Sequence, residues 1–185
     1  MAKRPTEILE EEHHVIQQMI GVMAQLIEEL ARGQKLDSAM LTDLVEFMKG
    51  FADRCHHGKE ETHLFPLLEA KGVPVNGCPL GILIHEHTSG RKLVGELADS
   101  AAAYARKDPG AGESLAAAMQ GLVNLYPGHI WKEDYLLFPM TDKILTPEEQ
   151  NILAEKFAAV EESIGANQHQ RFVQMVEKLT AITSA

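Results

Sequence analysis

The chain has 185 residues, of which 45% are hydrophobic and 24% charged, and its formal net charge is −10 at pH 7. This length and composition predict one globular domain with a full apolar core, and they argue against a disordered chain. Lys and Arg never cluster beyond a pair. Because phosphate backbones require a basic surface, a nucleic-acid partner is not expected.

Membrane insertion and secretion are not expected either. No apolar run approaches the roughly 20 residues of a membrane span. The N-terminal residues lead into an acidic segment rather than the apolar core of a signal peptide. Two cysteines, Cys55 and Cys78, are too few for a disulfide framework and fit a reducing compartment. We therefore expect a cytoplasmic protein, and its nine histidines require an explanation.

Apolar residues at steps of three or four predict two helices in the first part of the chain. The first covers residues 8–32 and ends at Gly33. The second begins at Asp37 or Ser38, either of which can cap it. It continues until Pro66 breaks or ends it.

Two more long helices are predicted after a loop with turn chemistry over residues 72–79. The third helix covers residues 80–106. The fourth covers residues 113–137 and contains Pro127, which removes one backbone hydrogen bond and predicts a bend. Strand-like alternation is not sustained anywhere in the sequence.

A C-terminal segment carries two further helices. The sequence T-P-E-E at residues 146–149 is a start signal, with a threonine cap and a glutamate three residues later. Gly165 interrupts this helix, and a last helix contains Phe172. The predicted fold is all-α, with four long helices over residues 1–142 and a helical extension over residues 143–185 packed on the bundle.

The sequence contains one motif twice, with the copies 73 residues apart. The first copy ends in E-E-T-H-L-F-P at residues 60–66, and the second in E-D-Y-L-L-F-P at residues 133–139. The register extends back to His56 and His129. Both copies therefore read H-x-x-K-E-(E/D)-x-x-L-F-P.

Each copy also has an E-H pair on the preceding helix, ending at His13 in the first copy and at His87 in the second. Residues four apart on a helix lie about 40° apart around its axis, so each H-x-x-x-E pair projects from one face as a chelating unit. If the copies pack as a pseudo-twofold bundle, four imidazoles and two carboxylates meet in its interior. They are His13, His56, Glu60, His87, His129 and Glu133.

This donor set favours a two-metal site over a solvated surface. A single H-x-x-x-E pair is usually an exposed ion pair that contributes a few tenths of a kcal/mol. Two copies in register, each beside core-facing Leu and Phe, favour coordination, because buried charges are costly unless they are paired or coordinated. Nitrogen and oxygen donors with two carboxylates able to bridge fit iron or manganese better than zinc. The implied cofactor is a di-iron centre.

The motifs resemble those of the hemerythrin-like, or HHE cation-binding, family over roughly residues 6–142. The family pattern H…H-x-x-x-E…H…H-x-x-x-E matches in order at all six positions. The resemblance implies an up-down-up-down four-helix bundle that holds two non-haem iron ions bridged by carboxylates and an oxo or hydroxo group. It also implies that Glu60 and Glu133 are the bridging carboxylates.

The sequence departs from the family pattern at one position. Oxygen-carrying hemerythrins have a fifth histidine one turn before the third-helix ligand, and this position is Leu83 here. His63, which lies on the helical stripe of His56, is either an additional ligand or a core histidine. His57 is expected to face a helix interface or solvent, although an alternative register would pair His57 with Glu61.

The other histidines and aromatic residues near the motifs are not expected to bind metal. His14 is expected at a helix interface or in solvent, and His169 lies outside the repeat. The remaining expectations are a surface position for His85, a buried thiol at Cys55, packing at Trp131, and the rim or core of the bundle for Tyr135.

The donor set and the resemblance predict a protein that binds or senses a small diatomic ligand, O2 or NO, at the di-iron centre. Three alternatives stay open. They are an enzyme that consumes peroxide or NO, an iron store or donor for the repair of iron centres, and a metal that only clamps the bundle. A protein partner or a second copy would dock on the acidic surface or on the C-terminal helices around Phe157 and Phe172, unless these residues pack on the bundle.

Removal of one predicted ligand tests the assignment. In His56→Ala or Glu60→Ala, the iron content should fall from two ions per chain to one or fewer, because the affinity for metal depends on the full donor set. Metal analysis of protein purified without air measures the stoichiometry. A value still near two ions per chain in both variants would contradict the ligand set.

Overall fold

A computed structural model of the protein describes residues 3–165 and 167–183, and within these residues the chain is all-helical and has no strand, as predicted. None of the described helices combines the length and the apolar character needed to cross a lipid bilayer. The α-helices are α1 (Pro5–Ala31), α2 (Ser38–Phe47), α3 (Phe65–Ala70), α4 (Leu80–Ala105), α5 (Ala111–Lys132), α6 (Phe138–Ile144), α7 (Pro147–Ile164) and α8 (Gln168–Thr183).

Three segments between these helices are π-helical: Met48–His57, Glu60–Leu64 and Glu133–Leu137. The first two lie between α2 and α3, so that residues 38–70 form one continuous helical rod. The third joins α5 to α6 in the same way. A π-helical turn bonds each N–H to the carbonyl five residues earlier, is rare, and is found mostly at functional sites.

The prediction that Pro66 breaks or ends the second helix is wrong. The rod continues to Ala70, with Pro66 in the first turn of α3. Directly before it, the Phe65 N–H donates to the carbonyl of Glu60, which closes the π-helical turn. Proline is tolerated in the first turn of an α-helix, and the change from π- to α-helical bonding creates such a turn inside the rod. The α5 helix likewise continues through Pro127.

The predicted helix ends are confirmed where a side chain or a glycine determines them. Asp37 accepts a hydrogen bond of 3.0 Å from the Ala39 N–H at the start of α2. Thr146 and Glu149 exchange two hydrogen bonds at the start of α7. Gly165, with φ of +115°, ends that helix. This backbone angle is accessible to glycine at little cost, which explains the stop.

A layer of buried polar side chains lies between two clusters of buried apolar residues. Helix α4 packs along α5, α5 packs along α1, and α2 packs against α4. In α1, Leu9 belongs to the smaller cluster and Ile16 to the larger one. His13 lies between them in the chain and is buried. A polar layer therefore crosses an otherwise apolar interior at the level of His13.

The C-terminal helices cover the side of the bundle next to α1. Helix α7 contacts α1 and the two π-helical segments of the rod formed by residues 38–70, while α8 contacts α1 and α2. Phe157 of α7 and Phe172 of α8 are buried in the two apolar clusters. These two rings are therefore part of the interior of the chain.

Truncation of Phe157 should destabilise the protein strongly. Its ring is fully buried, and Phe157→Ala should lower the free energy of unfolding by about 3–5 kcal/mol. Ile152→Ala is the control on the same helix, because Ile152 is 47% exposed and should change the stability by less than about 0.5 kcal/mol. Urea unfolding of the metal-free protein measures both variants. Equal small losses would show that α7 does not pack on the bundle.

Candidate metal centre

The structure brings all six predicted ligands together in the buried polar layer. His13 comes from α1, His87 from α4 and His129 from α5. The remaining three residues come from the π-helical segments. The exposed fraction of each of the six is between 0% and 3%. The set consists of His13, His56, Glu60, His87, His129 and Glu133.

The inward atoms of the first motif copy lie close to one another. The Nε2 atoms of His13 and His56 are 3.0 Å apart. Glu60 Oε2 lies 3.8 Å from His56 Nε2 and 3.4 Å from His87 Nε2. Glu60 therefore contacts one imidazole from each motif copy.

Glu133 occupies the corresponding position in the second copy. Its Oε2 lies 3.1 Å from His13 Nε2 and 3.3 Å from His129 Nε2. Its Oε1 lies 3.7 Å from His87 Nε2. Both carboxylates thus lie between imidazoles of the two copies, which is the position that a bridging ligand requires.

Several inward atoms of this layer lack hydrogen-bond partners within the described residues. They include both carboxylate oxygens of Glu60 and of Glu133 and the Nε2 atoms of His87 and His129. Buried polar atoms nearly always have a partner, because an unsatisfied one loses its interactions with water without replacement. These lone pairs converge from three separate helical segments and fit a bound cation.

A carboxylate holds the outward nitrogen of each of the four rings. Such a bond fixes the ring orientation and places the ring proton on Nδ1, which leaves the Nε2 lone pair free for a metal ion. The pairs are His13 with Asp134 and His87 with Glu61, both at 2.6 Å, His56 with Glu12 at 3.0 Å, and His129 with Glu86 at 3.1 Å.

The lysine that both motif copies contain contacts two of these carboxylates. Lys59 donates to Glu12 at 2.5 Å, and Lys132 donates to Glu86 at 2.8 Å. Matching positions of the two copies therefore make matching contacts. The sequence repeat marked these positions, but their partners were not predictable, because they lie on other helices.

The pKa values of the two central carboxylates are shifted in opposite directions. Burial and the nearby charge of Glu133 raise the pKa of Glu60 well above its ordinary value. Burial also opposes ionisation of Glu133, but the charge of His129 and the nearby rings of His13 and His87 outweigh it and lower the pKa of Glu133 well below the ordinary range. Two neighbouring buried carboxyl groups cannot both be ionised without a compensating positive charge.

The pKa values of His13 and His56, in the first copy, are also shifted in opposite directions. Burial opposes the charging of His13, but the nearby carboxylates of Asp134 and Glu133 raise its pKa to about 9. Burial lowers the pKa of His56 to about 4, although Glu12 opposes the shift. Without a metal ion, protons thus supply the positive charge that the carboxylates need, and a bound cation would replace them.

His57 also lies in the centre, at an interface with α4, so of its two expected positions, a helix interface or solvent, the structure shows the first. It is buried, and its ring stacks on His87 with the ring centroids 3.9 Å apart. Neighbouring residues of an α-helix are about 100° apart. The π-helical segment Met48–His57 has more residues in each turn, which lets both His56 and His57 face inward. Only the H-H doublet could have indicated this, since helical periodicity does not predict π-turns.

The alternative register and the additional ligand are not found in the described structure. Glu61 bonds to His87 Nδ1 and does not pair with His57. His63 does not belong to the groups of converging metal-binding atoms. It is partly buried, and burial together with the charge of Lys156 lowers its pKa. Leu83 is buried and offers no donor atom.

The other expectations near the motifs are confirmed with one exception. Cys55 is buried, and His14 and His85 are exposed. Trp131, predicted to pack, is 53% exposed and stacks at the surface on the exposed ring of Tyr135.

Comparison with known proteins supports a cation site. The family model of the Hemerythrin HHE cation binding domain matches residues 4–141. Similar curated proteins are "Uncharacterized protein Rv1995" of Mycobacterium tuberculosis and "Uncharacterized protein Mb2018" of Mycobacterium bovis, each 25% identical over 166 residues. The similarity covers 90% of this chain, and the chain spans 62% of the length of these relatives. No solved structure matches the chain.

Removal of an orienting carboxylate should weaken metal binding. In Asp134→Asn, the loss of the negative charge at His13 Nδ1 should lower the affinity for ferrous ion by about 10–100-fold. Competition with a coloured chelator under anaerobic conditions measures the affinity. Asp99→Asn, the same change at an exposed position of α4, should leave it unaltered. Equal affinities in both variants would show that Asp134 does not support the metal site.

Proposed function

Because the chain belongs to the hemerythrin HHE cation-binding family, we propose that it holds two non-haem iron ions and binds a small diatomic ligand, O2 or NO. The observation that carries the proposal is the buried donor set, in which six side chains converge and the inward atoms of Glu60, His87, His129 and Glu133 have no partner within the described residues. The metal ligands are His13, His56, Glu60, His87, His129 and Glu133.

The contacts of the carboxylates support two ions rather than one. Glu60 and Glu133 each lie against imidazoles of both motif copies. In the proposed site, His13 and His56 would hold one ion and His87 and His129 the other, with Glu60 and Glu133 between the two sets. The family resemblance implies that an oxo or hydroxo group would also bind there.

The chemistry of the donors favours iron, with manganese as the other metal that suits nitrogen and oxygen ligands. Cys55 adjoins His56 in the sequence, but its Sγ lies 3.8 Å from Glu12 Oε1. Burial raises the pKa of this thiol to about 12. The thiol therefore stays protonated near neutral pH, and thiolate ligation, which would favour zinc, does not contribute.

A cavity of about 310 Å³ lies beside the centre. It is lined in part by Asp53, Arg91 and Tyr126, and its inner wall includes His57, which stacks on His87. Arg91 lies at its edge, bonded to Asp53 and Glu61 at 2.8 Å each. One water molecule takes up about 30 Å³, so the cavity has room for a diatomic molecule.

When bound, two ferrous ions would supply the electrons and the open coordination position that binding of O2 or NO requires. The protein contributes enclosure and orientation. All six donor side chains are shielded from bulk water, and the outer carboxylates hold the imidazoles in place. Donors enclosed to this degree favour retention of iron over its transfer to an acceptor.

The finer architecture belongs to the same proposal. We propose an up-down-up-down bundle with a pseudo-twofold repeat over residues 1–142, and an extension over residues 143–185. The matching contacts of Lys59 and Lys132 support the repeat. A protein partner or a second copy on the C-terminal helices would have to use exposed side chains such as Ile152, since Phe157 is buried.

Metal analysis and absorption spectroscopy of protein purified without air test the function. We expect two iron ions per chain and a charge-transfer absorption that forms when O2 or NO is added and disappears when the gas is removed. His129→Ala should lose this response because the donor set is incomplete.

The alternatives give different results in the same experiment. Continuous loss of added peroxide or NO would identify an enzyme, and rapid transfer of iron to an acceptor would identify a donor. Bound iron without any response to the gases would leave a structural clamp. Wild-type protein that binds no iron under these conditions would refute the proposal.

A further inference from the structure

We infer that His57 is a fifth imidazole ligand, which makes the two metal positions of the proposed di-iron centre unequal. The inference rests on the proposed function, because it adds a donor to that site. It assigns to one ion the three rings of His57, His87 and His129. The other ion has His13 and His56, and the two carboxylates lie between the ions.

The first observation is that His57 is buried, with an exposed fraction of 3%, and that neither of its ring nitrogens has a hydrogen-bond partner within the described residues. The nearest carboxylate oxygen, Asp53 Oδ1, lies 3.5 Å from Nδ1, beyond a normal hydrogen bond. An imidazole in this state loses its interactions with water and gains nothing in return unless a ligand occupies a nitrogen lone pair.

The second observation is convergence with two proposed ligands. One ring nitrogen each from His57, His87 and His129 lie within 4.8 Å of one another. Donors bound at about 2.1 Å to one ion are roughly 3 to 4 Å apart. The three nitrogens therefore need only a small contraction to share one ion. His13, His56, Glu60 and Glu133 form a separate group by the same criterion.

The third observation is the asymmetry of the two motif copies. The residue that corresponds to His57 in the second copy is Ile130, and it packs in the larger apolar cluster. An apolar side chain is therefore compatible with this position of the motif. A histidine there adds a polar ring to the interior without a hydrogen bond, which packing alone does not require.

The geometry of the rod explains how two adjacent histidines reach one centre. His56 and His57 end the π-helical segment Met48–His57. His56 Nε2 faces His13 Nε2 at 3.0 Å, whereas the ring of His57 turns towards α4 and stacks on His87. The two rings therefore serve opposite sides of the centre.

Ferrous titration of His57→Gln tests the inference. Wild-type protein should bind two ferrous ions, and the variant should bind one of them at least about tenfold more weakly. The exposed His85 provides the control His85→Gln, which should match wild type. In His57→Gly, added imidazole should restore tight binding of the second ion, because the free ring can occupy the space left by the side chain.

Paramagnetic NMR of the wild-type diferrous protein gives an independent readout that needs no variant. Each ligated ring that keeps its N–H contributes a hyperfine-shifted, exchangeable resonance, so five such signals are expected. Four signals, together with equal ferrous affinities of wild type and His57→Gln, would overturn the inference. If His57→Gln does not fold, the NMR count decides by itself.

The experiment separates this inference from the proposed function. Wild-type protein that binds no ferrous ion would remove the proposed function. Wild-type protein with two tightly bound ions, four shifted resonances and no dependence on His57 would leave that function intact and remove only the fifth ligand.

Discussion

Two carboxylates and five imidazoles share one layer of the interior, where at most 3% of any of these side chains is exposed. Removal of an ionised group from water costs several kcal/mol unless an opposite charge or a metal ion compensates. The layer therefore has to attract positive charge, whether protons or cations. The apolar clusters on either side make this requirement stronger, because they keep water away and lower the local dielectric response.

The shell around the centre is organised by the same requirement. Each of four imidazoles donates outward to a carboxylate, so its inward nitrogen presents a lone pair instead of a proton. Buried Lys59 then balances Glu12, which would otherwise be a second uncompensated charge in the interior. Glu161 of α7 also bonds to Lys59, at 2.6 Å. The C-terminal extension thus contributes to the outer part of the charge network, in addition to covering apolar surface.

The backbone adapts to the centre at the π-helical segments. Wider turns follow both H-x-x-x-E motifs, and each ends immediately before a Phe-Pro pair. The first copy has an additional π-helical segment, Met48–His57, which turns a second histidine inward. Such turns are less favourable than α-helical ones and persist only where surrounding contacts require them. The additional π-helical segment of the first copy is the structural source of the asymmetry between the two copies.

The helical class and the convergence of the six His and Glu residues were predictable, because both depend on the local spacing of residues along the chain. Apolar residues three and four apart indicate helices, and the paired H-x-x-x-E motifs indicate two chelating units. Capping residues such as Asp37 and Thr146 located helix starts, since a cap bonds within its own turn. Departures from the α-helical period were not predictable in this way. For this reason Pro66 was expected to end a helix that continues, and His57 was not expected among the converging residues.

The sequence by itself determined which donor atoms exist and that they occur as two matched sets. Only the tertiary structure decided which carboxylate orients which imidazole, because Asp134 and His13 are far apart in the chain and meet through the packing of α1 against the end of α5. It also decided that His57 joins the centre and that His63 does not. The physical reason is that burial and hydrogen bonding depend on neighbours from other helices, which local periodicity does not contain.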